Sequence, residues 1–106
     1  MRAWLLVLLL ACRREPAPVR VATFNIEDFP KNPAQVRAAF DELLATHASI
    51  IAVQEIDDPA LFARAAHARF GAQWQFVPSA WTQHEEHPRH TGVLFDGARW
   101  QLAGST

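Results

Sequence analysis

Two short apolar stretches that each run into acidic residues constrain this chain most. The first is VATFNIEDF, residues 21 to 29, and the second is SIIAVQEI, residues 49 to 56. Their β-branched and aromatic residues favour strands. Because residues two apart on a strand point to the same side, Asn25 and Glu27 share one face, and Glu55 joins them if the two strands are neighbours.

Carboxylates held this close to one another repel unless a positive charge lies between them. Mg²⁺ takes oxygen ligands, with one or two carboxylates completed by water and substrate phosphate, and Mn²⁺ accepts the same ligands. The pattern therefore predicts that Glu27 and Glu55 hold a Mg²⁺ (or Mn²⁺) ion. The alternative is that the acids only mark where two strands emerge into solvent, and the spacing by itself leaves both interpretations open.

Helix starts are written into the two segments that follow these strands. Asn32 is an N-cap before a proline, and Gln35 stands where a capping-box partner reaches back. Asp58 is a second N-cap before a proline, and Gly71 ends that helix. We therefore expect one helix after each of the first two strands.

The rest of the chain is expected to be β-structure. WQFVPSAW, residues 74 to 81, predicts a third strand, and Asp96-Gly97 between two apolar runs predicts a hairpin. The resulting order is strand, helix, strand, helix, strand, hairpin. This order is typical of a layered α/β fold.

The amino-terminal segment MRAWLLVLLLAC predicts export. Its uncharged run is shorter than the roughly 20 residues that span a membrane, so residues 1–11 are expected to be a signal peptide. LLAC resembles the bacterial lipobox, which makes Cys12 the lipidated first residue of the mature protein, and residues 12–18 a tether. We expect a lipid-anchored protein of the bacterial cell envelope. The alternatives are a secreted or periplasmic protein, with Cys12 a free thiol, or a buried amino-terminal helix.

VATFNIEDF and IIAVQEI, with a helix between them, resemble the first two signature strands of the endonuclease/exonuclease/phosphatase superfamily. The resemblance implies a partial four-layered α/β sandwich of the deoxyribonuclease I-like type over residues 19–106. It also implies nuclease-like hydrolysis of phosphodiester or phosphomonoester bonds with Mg²⁺ or Mn²⁺. Glu55 then matches a catalytic, metal-binding glutamate, Asn25 matches a catalytic asparagine, and Glu27 matches an acid near the metal.

The loop before the last apolar run supplies the expected substrate contacts. The resemblance implies that Arg89 and His90 contact the phosphate group of the substrate. Nucleic acid is one option for that substrate. The net charge of −1 gives no basic stripe that tracks a nucleic-acid backbone. His84, His87 and His90 stand at three-residue steps, which fits a transition-metal site, although a polar loop is the plainer interpretation because Pro88 interrupts the segment. No protein partner is predicted.

The resemblance covers only the first half of the family's pattern. The second half supplies a tyrosine, an Asp-x-Asn motif and an Asp-His pair, and this sequence has no tyrosine and neither motif. We therefore expect a fragment that is inactive by itself, marginally stable, and open on one sheet face. The alternative function is a non-catalytic, lipid-anchored remnant or interaction module on the same scaffold.

Overall fold

The computed structural model describes residues 18–80 and 89–104. Within these residues the chain forms β1 (Val21–Phe29), α1 (Pro33–Ala45), β2 (Ile50–Ile56), α2 (Pro59–Phe70), β3 (Trp74–Pro78) and β4 (His90–Asp96). The predicted signal peptide, Cys12, His84 and His87 lie outside the described residues. None of the described helices is both long and apolar enough to cross a membrane.

The four strands make one mixed sheet in the order β1-β2-β4-β3. β1 and β2 are parallel, which requires the crossover that α1 provides. β4 is antiparallel to both of its neighbours, β2 and β3. The sheet therefore places the carboxyl ends of the two acid-bearing strands, β1 and β2, side by side.

Both helices begin at the residues that the sequence predicts. Asn32 Oδ1 accepts a hydrogen bond from the Gln35 backbone N–H at 2.8 Å, and Asp58 Oδ1 accepts one from the Leu61 N–H at 3.0 Å. Each bond satisfies a backbone donor that has no partner inside its helix. Gly71 follows α2 with a φ of 123°, a conformation that favours glycine, so the predicted end of that helix is also confirmed.

An aromatic cluster holds both helices against one face of the sheet. The rings of Phe29, Phe40 and Phe62 are fully buried and lie 5.1 to 6.2 Å apart between centroids. Phe62 also contacts Phe76 of β3 at 4.5 Å. These ring contacts connect β1, both helices and β3 in one core. Burial of each fully enclosed phenylalanine contributes roughly 1.5–3 kcal/mol to its stability.

The opposite face of the sheet is largely open within the described part of the chain. Val21 is 66% exposed and Val93 is 40% exposed, although both are large apolar residues on strands. Residues 100–102 lie along one end of this face, where Trp100 Nε1 donates to Ser49 Oγ at 2.9 Å. An open sheet face is what the resemblance to part of a layered sandwich implies.

The prediction of a hairpin at Asp96-Gly97 is wrong. β4 pairs with the preceding strand β3, and residues 97–104 contain no strand. A two-residue hairpin turn of the preferred type needs positive φ at both central residues, and the φ of Gly97 is not positive. Instead, the Asp96 carbonyl accepts from the N–H groups of Arg99 and Trp100, and its side chain accepts from Ala98 N–H. The chain therefore coils into a helical turn there.

Replacement of His47, just after α1, measures the backbone strain at that position. Its φ is 52°, in the left-handed region that costs a non-glycine residue about 1–2 kcal/mol. We expect His47→Gly to raise the free energy of unfolding by about 1 kcal/mol, measured by urea denaturation. The control is Ala38→Gly, at an exposed position inside α1, which should lower stability by about 1 kcal/mol. Equal losses in the two variants would contradict the prediction.

Candidate functional site

The pairing of β1 with β2 is interrupted where the acids lie. Asn25 pairs with Gln54, and the next pair is Phe29 with Ile56. Three residues of β1 (26–28) therefore stand opposite one residue of β2, which is Glu55. Such a bulge removes residues from the ladder and re-aims their side chains.

A second register shift isolates Glu55 on its other side. Along the pairing of β2 with β4, the pair Val53 and Gly92 is followed by Ile56 and His90, so two residues of β2 oppose one of β4. Glu55 is one of the two residues that leave the ladder. Both shifts lie at the end of β2, and they direct this carboxylate away from the regular pleat.

The bulged acids have a strained backbone. Glu27, Asp28 and Glu55 have φ values of 55°, 56° and 62°. Left-handed conformations of non-glycine residues cost of order 1–3 kcal/mol each and are often found at functional sites. The strands resume pairing at Phe29 and Ile56, which are both 0% exposed, so core burial holds the strained segment in place.

The guanidinium of Arg89 lies among three carboxylates at this edge. Its Nη1 donates to Glu55 Oε1 at 2.8 Å, its Nη2 forms an ion pair with Asp28 Oδ1, and its Nε lies 3.8 Å from Asp57 Oδ1. Asp28 Oδ1 is buried and makes no directional hydrogen bond within the described residues, so charge is what holds it to Arg89. Three carboxylates and one guanidinium leave this acid cluster with a formal charge of −2.

Asn25 and Glu27 face a different neighbourhood from Glu55. Asn25 Oδ1 accepts from Glu27 N–H at 2.9 Å, which closes a short turn inside the bulge. The Glu27 side chain is 77% exposed and lies 3.9 Å from Lys31 Nζ. Glu27 is thus paired with a lysine of its own segment, whereas Glu55 is paired with Arg89.

The predicted metal ligands therefore do not form a ready cation site in this arrangement. Over residues 18–80 and 89–104, no group of three or more His, Cys, Asp or Glu side chains is arranged to hold a metal ion. Glu55 Oε1, the expected central ligand, already accepts a hydrogen bond from Arg89. The positive charge that the sequence assigned to Mg²⁺ or Mn²⁺ is supplied here by a guanidinium, and the assignment of Glu27 and Glu55 to a metal stays a prediction.

The two expected substrate contacts are both engaged by protein groups. Arg89 directs its donors to acids, and His90 Nδ1 lies 2.8 Å from the carbonyl oxygen of Ser79. His90 also occupies the first position of β4, opposite Ile56. Their roles toward a phosphate ester stay predictions.

Sequence reasoning missed Asp28 and Asp57 as members of the acid cluster. Each is adjacent to an acid in the sequence, Asp28 after Glu27 and Asp57 before Asp58. That adjacency is the only signal the sequence carried. Their pairing with Arg89 joins segments distant in sequence, as does that of Glu55, which lies 34 positions from Arg89, and it depends on the sheet order.

Gln35 of α1 braces the β1 bulge. Its Nε2 donates to the carbonyl oxygens of Ile26 and Glu27 at 3.1 and 2.8 Å, and its Oε1 accepts from the Lys31 N–H at 2.5 Å. The capping-box prediction is therefore confirmed only in part. The Gln35 N–H bonds to the N-cap Asn32, but the Gln35 side chain accepts from Lys31 N–H, one residue before the N-cap, and donates into the bulge. The first turn of α1 thus fixes the backbone that presents Glu27 and Asp28.

The architecture and the position of the acids define a partial fold of the endonuclease/exonuclease/phosphatase, or deoxyribonuclease I-like, type. Among solved structures, the chain is similar to the human Nocturnin catalytic domain with a bound sulfate anion. The TM-score is 0.61 with 26% sequence identity over 84% of this chain. The match covers 36% of the Nocturnin chain. The predicted fold class is confirmed, and the scaffold is of the nuclease and phosphoesterase type.

The likeness is structural. No protein-family model matches this chain. No curated protein sequence matches it at a significant level. Inferences about function therefore rest on the fold and on the end of the sheet where β1 and β2 finish.

Replacing Gln35 tests whether α1 supports the bulge. Gln35→Ala removes three hydrogen bonds, and we expect it to lower the free energy of unfolding by about 1–2 kcal/mol in urea. Gln35→Glu is the matched variant, because it keeps the acceptor for Lys31 N–H but sets a carboxylate against two carbonyl oxygens. Its free energy of unfolding should be no higher than that of Gln35→Ala. A Gln35→Glu protein as stable as the wild type would show that the Gln35 side chain does not support the bulge.

Proposed function

We propose that this chain forms part of a phosphoester hydrolase of the nuclease type. The observation that carries the proposal is the position of Glu55, which leaves the ladder at the end of β2 beside the acids of β1, on a scaffold shared with a catalytic domain. The related catalytic domain binds sulfate, a tetrahedral oxyanion like phosphate. The match covers 36% of the Nocturnin chain, so the comparison shows the scaffold and the hydrolase activity is what we propose.

Asn25 is the residue best placed to bind a phosphoryl oxygen. Its Oδ1 accepts from the Glu27 N–H, which fixes the plane of the amide. The Nδ2 group has no partner among the described residues, and Asn25 is exposed at the edge. The amide N–H₂ therefore donates to the substrate, and the bulge holds it in one orientation before the substrate arrives.

Metal dependence belongs to the proposal through the resemblance. A bound Mg²⁺ or Mn²⁺ stabilises charge on the phosphoryl oxygens in such hydrolases. Within residues 18–80 and 89–104, no three His, Cys, Asp or Glu side chains are arranged as ligands for such an ion. By the resemblance, Glu55 is the residue whose carboxylate would hold the ion, and it lies at the end of β2 where both strand ladders are interrupted.

The substrate and the cellular location that we propose are those that the sequence analysis predicts. The substrate is a phosphate ester, with nucleic acid as one option, and the protein is exported and anchored to the bacterial cell envelope through lipidated Cys12. Export without lipidation gives the secreted or periplasmic alternative. The proposed location depends on residues 1–17, which lie outside the described residues.

A second candidate function is a non-catalytic interaction module. Two observations favour it. Arg89 neutralises the carboxylate that catalysis needs, and an apolar sheet face is open within the described part of the chain. A module of this kind uses the scaffold for binding and leaves the acid cluster permanently paired.

Binding of a generic phosphodiester separates the two candidates, because the chain by itself is expected to be inactive. With Mg²⁺ present, we expect the full chain to bind bis(p-nitrophenyl) phosphate in titration calorimetry, and Glu55→Gln to weaken that binding by about tenfold or more. The control is Asp41→Asn, which also removes one carboxylate from an arginine pair, here with Arg69 on the helices. It should keep the wild-type affinity for the phosphodiester.

Circular dichroism confirms that each variant is folded. Wild-type affinity for the phosphodiester in Glu55→Gln would exclude the proposed site. Absence of phosphodiester binding in the wild type as well would support the interaction module.

A further inference from the structure

We propose that a groove between the amino-terminal turns of α1 and α2 binds a small anionic amphiphile, namely a carboxylate that carries an alkyl chain. The groove has a volume of about 630 Å³, within the range of roughly 300–1,000 Å³ that is usual for small-molecule sites. The proposal is independent of the proposed hydrolase, because neither Asn25 nor Glu55 lines this groove.

The floor of the groove is apolar. Val36 of α1 and the α2 residues Leu61 and Ala65 line it, and all three are half-buried. Their inner sides pack against the hydrophobic core, so their positions are fixed by the fold. The floor is therefore a preformed surface on which an alkyl chain loses contact with water.

Three cationic side chains line the same groove, and none of its lining residues is acidic. They are Lys31, Arg37 and Arg64. Both arginines are exposed, and neither guanidinium has a hydrogen bond or an ion pair within the part of the chain that the structure describes. Lys31 Nζ lies 3.9 Å from Glu27 Oε2 in an exposed pair, which holds it weakly. The positive charge of the groove is thus largely uncompensated.

The two free guanidiniums indicate the chemistry of the ligand. A guanidinium presents N–H donors in a planar fork that matches a carboxylate. Arg69, on the same helix as Arg64, already has such a partner in Asp41 of α1, whereas Arg37 and Arg64 have none among the described residues. A ligand that complements both the cations and the apolar floor has a carboxylate at one end and an alkyl chain at the other.

The size of the groove favours a small molecule over a docked protein helix. Its helical lining covers residues 33–37 of α1 and 61–65 of α2, which is about 6 Å along each helix at about 1.5 Å per residue. An amphipathic helix binds through anchors at positions i, i+4 and i+7, which are spread over about 10 Å. A short alkyl chain has rotatable bonds and can follow the groove where a rigid helix cannot.

Both ends of the ligand are needed for binding. An exposed ion pair by itself contributes little, because water competes for both charges. A short alkyl chain by itself leaves the uncompensated cations of the groove without a partner. The two contributions act together only in a molecule that carries both groups.

Titration calorimetry of the full chain with octanoate tests the proposal, with acetate and 1-octanol as matched probes. Acetate has the carboxylate without the chain, and octanol has the chain without the charge. We expect octanoate to bind at least about tenfold more tightly than either probe. The double variant Arg37→Gln/Arg64→Gln should lower the affinity for octanoate by about tenfold and leave that for octanol unchanged.

The control is Arg69→Gln, which removes a cation from the same helix, but one that is already paired with Asp41. It should bind octanoate as the wild type does. Circular dichroism checks that each variant is folded. Each single variant, Arg37→Gln or Arg64→Gln, should lower the affinity about threefold, so the test stays decisive if the double variant does not fold.

Three outcomes would overturn the proposal. Octanoate affinity that is equal in the wild type and in every folded arginine variant would place the amphiphile elsewhere, such as on the open sheet face. Octanol binding as tight as that of octanoate would remove the role of the charge. Sedimentation with phosphatidylglycerol vesicles that is lost in the double variant, without any binding of octanoate, would assign the groove to a membrane surface instead.

Discussion

The burial of Phe29 opposite Ile56 is the constraint on which the candidate site depends. Both side chains are fully buried, and they restore the pairing of β1 with β2 after the acids. Because three residues of β1 must fit where β2 has one, the intervening backbone is forced out of the ladder. The rings of Phe40 and Phe62 pack against Phe29 and prevent it from slipping back. The hydrophobic core thereby determines where the acidic side chains point.

The strain at this edge is offset by polar contacts from elsewhere in the fold. Gln35 satisfies two carbonyl groups of the bulge from the first turn of α1, and Arg89 supplies positive charge from the segment before β4. Both contacts come from residues distant in sequence. The conformation of Asp28 and Glu55 thus depends on the helix and the far strand as much as on their own segments.

The acid cluster bears on both candidate functions. Paired with Arg89, its three carboxylates form an ion-pair network at the end of β2, which fits a non-catalytic module. The likeness of the fold to a catalytic domain, and the position of Glu55 outside both strand ladders, fit the proposed hydrolase. The two candidates therefore differ in what Glu55 contacts when a phosphate ester is present.

Local signals in the sequence determined the elements of the fold. Asn32 and Asp58 begin the helices because each places a side-chain acceptor over free N–H groups, and this chemistry needs only neighbouring residues. The same local reasoning failed at Asp96-Gly97. There β4 already has β2 and β3 as partners on its two sides, and the Asp96 carbonyl accepts the hydrogen bonds of a helical turn.

The sequence also predicted that the acids of both strands would lie at one edge, and it marked Glu55 as central. It did not determine their partners. Register shifts arise from how Phe29 and Ile56 pack, and Arg89 meets Glu55 across 34 residues because β4 lies next to β2. The chain by itself fixed which groups carry charge, since ionisation is a property of each side chain. Only the tertiary structure decided which charges meet, because that depends on packing between distant segments.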